Sequence, residues 1–162
     1  MNQEILKSKQ AIVDEVTTAA KAASSIVIVE YRGLTVAQLT DLRKNLRKIG
    51  ATLSVYKNSL VGRALSSLGV KDLGSALEGP NAFVFSKDTI AGPKAVISFA
   101  KRNEHLVVKG GVIEGKAASA ADVKTVSMLP GRDGLISMFL SCLQSPISSF
   151  ARTVQAVADK QN

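Results

Sequence analysis

A chain of 162 residues, 46% hydrophobic and 21% charged, has enough apolar material to bury one core of ordinary size with residues left over for an appendage, which excludes a disordered composition. Its net charge of +8 points to an anionic partner, and its aromatic content of only 4%, without tryptophan, argues against a base-stacking platform, so that nucleic-acid binding would rest on phosphates and shape. One cysteine, Cys142, allows no internal disulfide, no apolar run reaches about 18 residues, and the polar start NQEILKSKQ lacks a signal-peptide core, which together predict a soluble cytoplasmic protein.

The opening segment to about Ala23 reads as a helix, with Ile5, Ile12, Val16 and Ala19 or Ala20 near one face. Lys7 and Lys9 stand near its start, where the helix dipole does not favour cations, and so point to an external anion. Ser25 to Val29 is a short β-branched run suited to a strand covered on both faces. Gly33 turns the chain, and Thr35 with Gln38 makes a capping box, so a helix begins at Thr35. Leu39, Leu42, Leu46 and Ile49 fall within an arc of about 80° on that helix, and Arg43, Lys44, Arg47 and Lys48 fan over an adjacent arc of about 140°. One face seeks a core and its neighbour seeks anions. Gly50 ends the helix, and Thr52 to Tyr56 alternates as a half-buried strand that delivers Lys57 and Asn58 to its end. Arg32, Lys57 and the helix cations are thereby expected to share one edge of a sheet.

Cation runs on amphipathic helices are most often solvated faces. Here the balance of signs favours a ligand. Between Met1 and Arg63 there are ten Lys or Arg against five Asp or Glu, and Arg43/Arg47 and Lys44/Lys48 are like-charge pairs at i,i+4 whose mutual repulsion a polyanion would relieve.

Farther on, Leu60 to Leu68 reads as a short helix stopped by Gly69, Asp72 to Leu77 as another turn or two, and Glu78-Gly79-Pro80 as a sharp break. Asn81 to Ser86 is a strand carrying Phe83 and Phe85, and Pro93 to Arg102 a helix with Ala95, Val96, Phe99 and Ala100 facing inward. Leu106 to Ile113 forms a strand interrupted at Gly110-Gly111 by a bulge or turn, and Ser119 with Asp122 caps a last short helix. The alternation predicts an α/β fold: a globular domain with a mixed sheet flanked by helices.

After Leu129-Pro130-Gly131 the pattern changes. Ile136, Phe139, Leu143, Ile147, Phe150, Val154 and Val157 recur at intervals of three and four within an arc of about 80°, predicting an extended amphipathic helix of about 35 to 40 Å. Such a helix commonly packs on its own domain. The Pro-Gly break, Gly134 and the narrow stripe argue instead for an arm whose seam is made with other helices. Leu135, Met138, Leu140 and Cys142 widen the apolar surface of its first half, so a partner is expected there. Pro146 should kink the helix or divide it into segments of roughly ten residues on each side.

Catalytic chemistry finds little support. His105 beside Glu104 reads as a surface loop residue, Cys142 as a small hydrophobe, and no metal cluster, triad or phosphate-binding glycine loop is present in the sequence. No cofactor or metal is expected. Two other classes stay open: a small enzyme binding a phosphorylated ligand through Arg32, Lys57 and Asn58, for which no general base converges, and a membrane-surface protein using the terminal helix, whose polar face offers only Arg132, Arg152 and Lys160 as cations.

The run Val29-Glu30-Tyr31-Arg32-Gly33-Leu34-Thr35, then Leu42-Arg43, Leu46-Arg47 and Gly50, then Val55-Tyr56-Lys57-Asn58 with Leu60 and Ala64, closely resembles the bacterial large-subunit ribosomal protein ten family. Gly79-Pro80, Glu114-Gly115-Lys116 and the Leu129-Pro130 entry to the last helix match it as well, so the resemblance covers essentially the whole chain from about Gln10. It implies an α/β domain over 1–129 that binds large-subunit (23S-type) ribosomal RNA beside ribosomal protein eleven, and an arm over 130–162 that holds dimers of the acidic stalk protein, two of them at this length, which recruit translational GTPases. Binding to its own messenger leader, and no membrane association, are further implied. By motif position, RNA contact is carried over to Arg32, Arg43, Arg47, Lys57, Asn58 and Arg63, while Lys7, Lys9, Lys44 and Lys48 are added from charge placement; the seven seam residues would meet the stalk partner.

Overall fold

A computed structural model describes residues 3–70 and 74–161, with the side chains of residues 3–6, 75, 132, 160 and 161 left aside. Of the turn expected over Asp72 to Leu77, residues 72 and 73 lie outside the described residues, as do the side chains of Ile5, Arg132 and Lys160, and its end is present as a 3-10 turn at Ser75–Leu77. The chain forms two compact units, Met1–Met128 and Leu129–Asn162.

In the first unit the elements run α1 (Gln3–Ala22), β1 (Ser25–Glu30), α2 (Val36–Lys48), β2 (Thr52–Ser54), α3 (Asn58–Ser67), a 3-10 turn at Ser75–Leu77, β3 (Asn81–Ser86), α4 (Ala91–Ala100), β4 (Val107–Ile113), β5 (Lys116–Ser119) and α5 (Ala120–Met128). The sheet has the order β2-β3-β1-β4-β5, and all four neighbouring pairs are antiparallel. The expected α/β sheet flanked by helices is present, but its pairing is antiparallel where a mixed one was expected. The helical crossovers β1-α2-β2 and β3-α4-β4 exist; β3 slots between β1 and β2, and β1 between β3 and β4, so each crossover joins strands that never become neighbours.

Alternation along the central strands produces two cores. Ile26, Ile28, Phe83, Phe85 and Val112 pack with Val16 of α1 and Val61, Ala64 and Leu65 of α3. Val27, Val29, Ala82 and Val84 pack on the opposite face with Leu42 and Leu46 of α2, Val96 of α4 and Val123 of α5. A strand covered on both faces has no solvated side, which is why β1 and β3 read as continuous apolar runs.

Local chemistry sets the boundaries. Gly50 has φ +71, and the N–H groups of Gly50 and Ala51 donate to the carbonyls of Arg47 (3.1 Å) and Leu46 (2.9 Å), closing α2 with a double-bonded glycine cap. Gly69 and Val70 repeat that pattern on Ser66 and Leu65 of α3. Between β1 and β4 the register passes from Ile28↔Gly110 to Val29↔Val108, so Lys109 is the extra residue of the anticipated bulge. A Cβ on Gly111 would collide with the carbonyl oxygen of Ile26, so only glycine fits there.

α3 and α4 each begin two residues earlier than expected, and two further departures alter the sheet. β2 ends at Ser54 rather than Tyr56, because Tyr56 turns to set its ring edge-on to Phe85 at 6.5 Å and donates its hydroxyl to Glu15 at 2.9 Å. β5 had no sequence signal; Glu114 (φ +50) and Gly115 (φ +78) make a two-residue hairpin turn that folds Lys116–Ser119 back on β4.

The second unit is one helix, α6 (Arg132–Gln161), of 30 residues and so about 45 Å. Pro146 lies inside it and does not divide it. Proline removes one donor, its own N–H, and the carbonyl of Cys142 that loses that bond sits on an exposed stretch open to water, so the ladder resumes beyond it.

Candidate functional site

The cationic helix α2 is held at both ends. At its start the Gln38 N–H donates to Thr35 Oγ1 (3.3 Å) and the Thr35 N–H donates to Gln38 Oε1 (2.9 Å), the anticipated capping box. Gln38 Nε2 also donates to Asn103 Oδ1 at 2.9 Å, and Asn103 Nδ2 to the Phe99 carbonyl at 3.2 Å, which fastens α2 to the end of α4. Leu42 and Leu46 are fully buried beneath it, and Ile49, the residue that ends the helix, is 38% exposed. Arg43, Lys44, Arg47 and Lys48 stand exposed, and only Lys44 reaches a carboxylate, Asp41 at 3.9 Å. Among the described residues Arg43, Arg47 and Lys48 have no acidic partner.

Arg102 completes this surface. It lines a shallow trough with Asp41, Lys44, Arg47, Lys48 and Phe99. Sequence reading passed over Arg102 because its neighbours lie more than fifty residues upstream and only the fold brings them together.

Arg32 and Lys57 occupy a different place. β1 and β2 run in the same direction on either side of β3, so Arg32, just past β1, and Lys57, just past β2, reach the same end of the sheet. α2 starts from that end and runs back toward the other, which carries Arg47 and Lys48 about 15 Å or more along the helix from its start. The single edge foreseen for all these cations is therefore two patches. Beside Arg32, a Cβ on Gly33 would meet the His105 ring at 3.1 Å, so that histidine packs over the turn.

Asn58 is engaged in the fold, donating Nδ2 to the Gly79 carbonyl at 2.8 Å. Lys109, the bulged residue, pairs with Glu30 at 2.6 Å and donates to the Glu78 carbonyl at 2.7 Å. Asn81, almost fully buried, donates to the carbonyls of Ala76 and Glu78 at 3.1 Å each. Three side chains thus hold the Ala76–Gly79 loop against the sheet end. Lys7 and Lys9 on α1 and Arg63 on α3 are exposed and belong to the helices on the sheet face opposite α2.

On α6 the seven seam residues are 51% to 74% exposed, and Met138 and Leu140 beside them are 59% and 53%. The reverse face is polar, with Ser141, Ser145, Ser148 and Arg152 in one strip. Asp133–Asp159 is long enough to cross a membrane, and its most apolar stretch of 18 residues, at a mean hydropathy of 1.3, is apolar enough, by length and composition alone. Its polar strip makes it amphipathic rather than apolar all round. Among the described residues no group of three or more His, Cys, Asp or Glu gathers as a metal site, and Cys142 is exposed.

Comparison with known proteins identifies the lineage. The family model described as Ribosomal protein L10 matches residues 4–101, and that of the Ribosomal protein uL10 C-terminal region matches residues 129–162. A large ribosomal subunit protein uL10 of Macrococcus caseolyticus is 47% identical over 162 residues, covering 99% of this chain and 94% of that protein. Its counterpart in Bacillus cereus is 45% identical over 159 residues, covering 98% and 96%. The chain belongs to the uL10 family of bacterial ribosomal proteins, components of the large subunit that serve translation in the cytoplasm.

Proposed function

We propose that this chain is a non-catalytic adaptor of the large subunit: the α/β domain, 1–129, binds large-subunit ribosomal RNA, and the arm, 130–162, holds dimers of the acidic stalk protein that recruit translational GTPases. The observation that carries the reading is α6 itself, a 30-residue helix whose seven-residue apolar seam is exposed throughout. Surfaces of that kind mark partner sites, and amphipathic helices of a partner would cover the seam, with Phe139 and Phe150 as anchors. Its length accommodates two successive dimers, before and after Pro146.

RNA affinity comes mainly from counterion release. Arg43, Arg47 and Lys48, which lack acidic partners among the described residues, and Lys44 form the principal patch, with Arg32, Lys57, Arg63, Lys7 and Lys9 as outlying contacts. Asn58 acts through the loop it holds. Five to six phosphate contacts give a log-log salt slope of about −4 to −5. Ribosomal protein eleven is the neighbour at the RNA surface, and the chain's own messenger leader is a second RNA ligand.

The test separates the modules. Phe150→Asp should release the distal stalk dimer and leave RNA binding intact, and Arg43→Glu with Arg47→Glu should do the reverse, read by native mass spectrometry with the stalk protein and by RNA titration. Equal impairment of both activities by either change would overturn the adaptor reading. The hydropathy of α6 favours one second reading, membrane attachment, which liposome sedimentation decides.

A further inference from the structure

α4 and α5 pack side by side over the sheet face against which they bury Val96 and Val123, and a groove of about 610 Å³ stays open where their outer faces meet the start of β4. Its floor is Ile97 of α4, Leu106 and Val107 leading into β4, and Met128 at the end of α5. Val107 is 50% exposed and Met128 80%, so two large apolar side chains lie uncovered in one concavity. Scattered exposed hydrophobes are ordinary; their convergence in a groove is not.

The rim is basic. Lys94 and Lys101 stand seven residues, or about 10 Å, apart along α4, and Lys124 faces them from α5. All three are exposed, and among the described residues none reaches a carboxylate.

This combination discriminates between partners. A phosphodiester backbone would satisfy the lysines but leave the floor bare, and the groove lining holds no aromatic ring on which a base could stack. A wholly apolar segment would cover the floor but crowd three ammonium groups without pairing them. A segment with an apolar stripe and flanking carboxylates satisfies both.

We propose that the α4–α5 groove docks an acidic amphipathic helix of another protein, its apolar side chains covering Ile97, Val107 and Met128 and its carboxylates meeting Lys94, Lys101 and Lys124. Carboxylates two turns apart on such a helix match the Lys94–Lys101 spacing. The groove shares no lining residue with the α2 trough and none with the α6 seam, so it stands apart from the adaptor activities proposed above.

The experiment is a titration of the isotope-labelled full chain, followed by amide chemical shifts, with a synthetic helical peptide bearing leucine on one face and glutamate beside it. Controls are a scrambled peptide of equal composition and a short RNA duplex. The patterned peptide should shift Leu106–Val108 and Lys124–Met128, and its Kd should rise about tenfold in Lys94→Glu/Lys101→Glu/Lys124→Glu, the sum of three exposed ion pairs. Met128→Ser should weaken it by about fivefold through lost apolar cover. These positions are exposed, so an unchanged melting temperature confirms the fold; should the triple variant fail that check, Met128→Ser decides alone. Equal binding of the scrambled peptide, peptide shifts confined to α6, or RNA moving the same amides without dependence on Met128 would each overturn the proposal.

Discussion

β1 and the α6 seam both draw on isoleucine and valine, with leucine and phenylalanine added on the seam, yet five of six β1 residues are buried while the whole α6 seam is exposed. The difference lies in what surrounds each. β1 is flanked by strands on both edges and by helices on both faces, so its apolar surface is spent within the fold. The α6 seam leaves its apolar surface exposed. One set of hydrophobes therefore governs stability and the other, on the adaptor reading proposed above, governs binding, so point changes in the two should have non-overlapping readouts.

The sharpest way to break that comparison is in the core beneath α2. Leu46→Ala, at a fully buried position, should cost about 2 to 5 kcal/mol in urea unfolding, with partner binding by folded protein unaltered. Phe150→Asp should do the opposite: no more than about 0.5 kcal/mol of stability, but about 2 kcal/mol or more of stalk-protein affinity by calorimetry. If Phe150→Asp unfolded the chain, α6 would be a core element and the contrast would fail. Arg43→Glu with Arg47→Glu should leave the melting temperature in place and flatten the RNA salt slope by about 2.

A smaller effect tests how α2 is positioned. Thr35→Ala removes the side-chain oxygen that caps the helix and should cost about 1 kcal/mol, read in thermal unfolding. The smallest concerns Asp122, whose carboxylate accepts from the Ser119 N–H and hydroxyl at 2.9 and 2.8 Å, bonds that hold its pKa below the ordinary aspartate value. A depressed carboxylate contributes stability above its unfolded pKa of about 3.9 and loses it as pH falls through the folded value. Amide protection factors across α5, corrected for the intrinsic pH dependence of exchange, should fall in that acidic window, and Asp122→Asn should remove that fall.

Much of the fold was legible in the sequence because the signals were local. β1 and β3 appear where their β-branched and aromatic runs lie, the Thr35–Gln38 and Ser119–Asp122 boxes open their helices, Gly50 and Gly69 close theirs, and Gly110-Gly111 marks the bulge. The misses are non-local. Nothing in Lys116-Ala-Ala-Ser119 favours a strand; it becomes one because the Glu114-Gly115 turn delivers it to an open edge of β4. Strand order depends on which helix covers which face, and no window of sequence contains that. The cationic surface was foreseen residue by residue but not as a map, since Arg102 joins α2 only through tertiary packing, and Asn58 spends its amide on Gly79.

Gln38 closes both circuits of this surface: its oxygen receives the backbone of Thr35 while its nitrogen grips Asn103. The backbone that carries Arg102 is therefore held at a set spacing from α2 before any ligand arrives. If the RNA contact proposed above runs through this face, the nucleic acid meets cations carried on two helices whose backbones are already fastened together, and selectivity for a bent or folded backbone can arise without reading a single base.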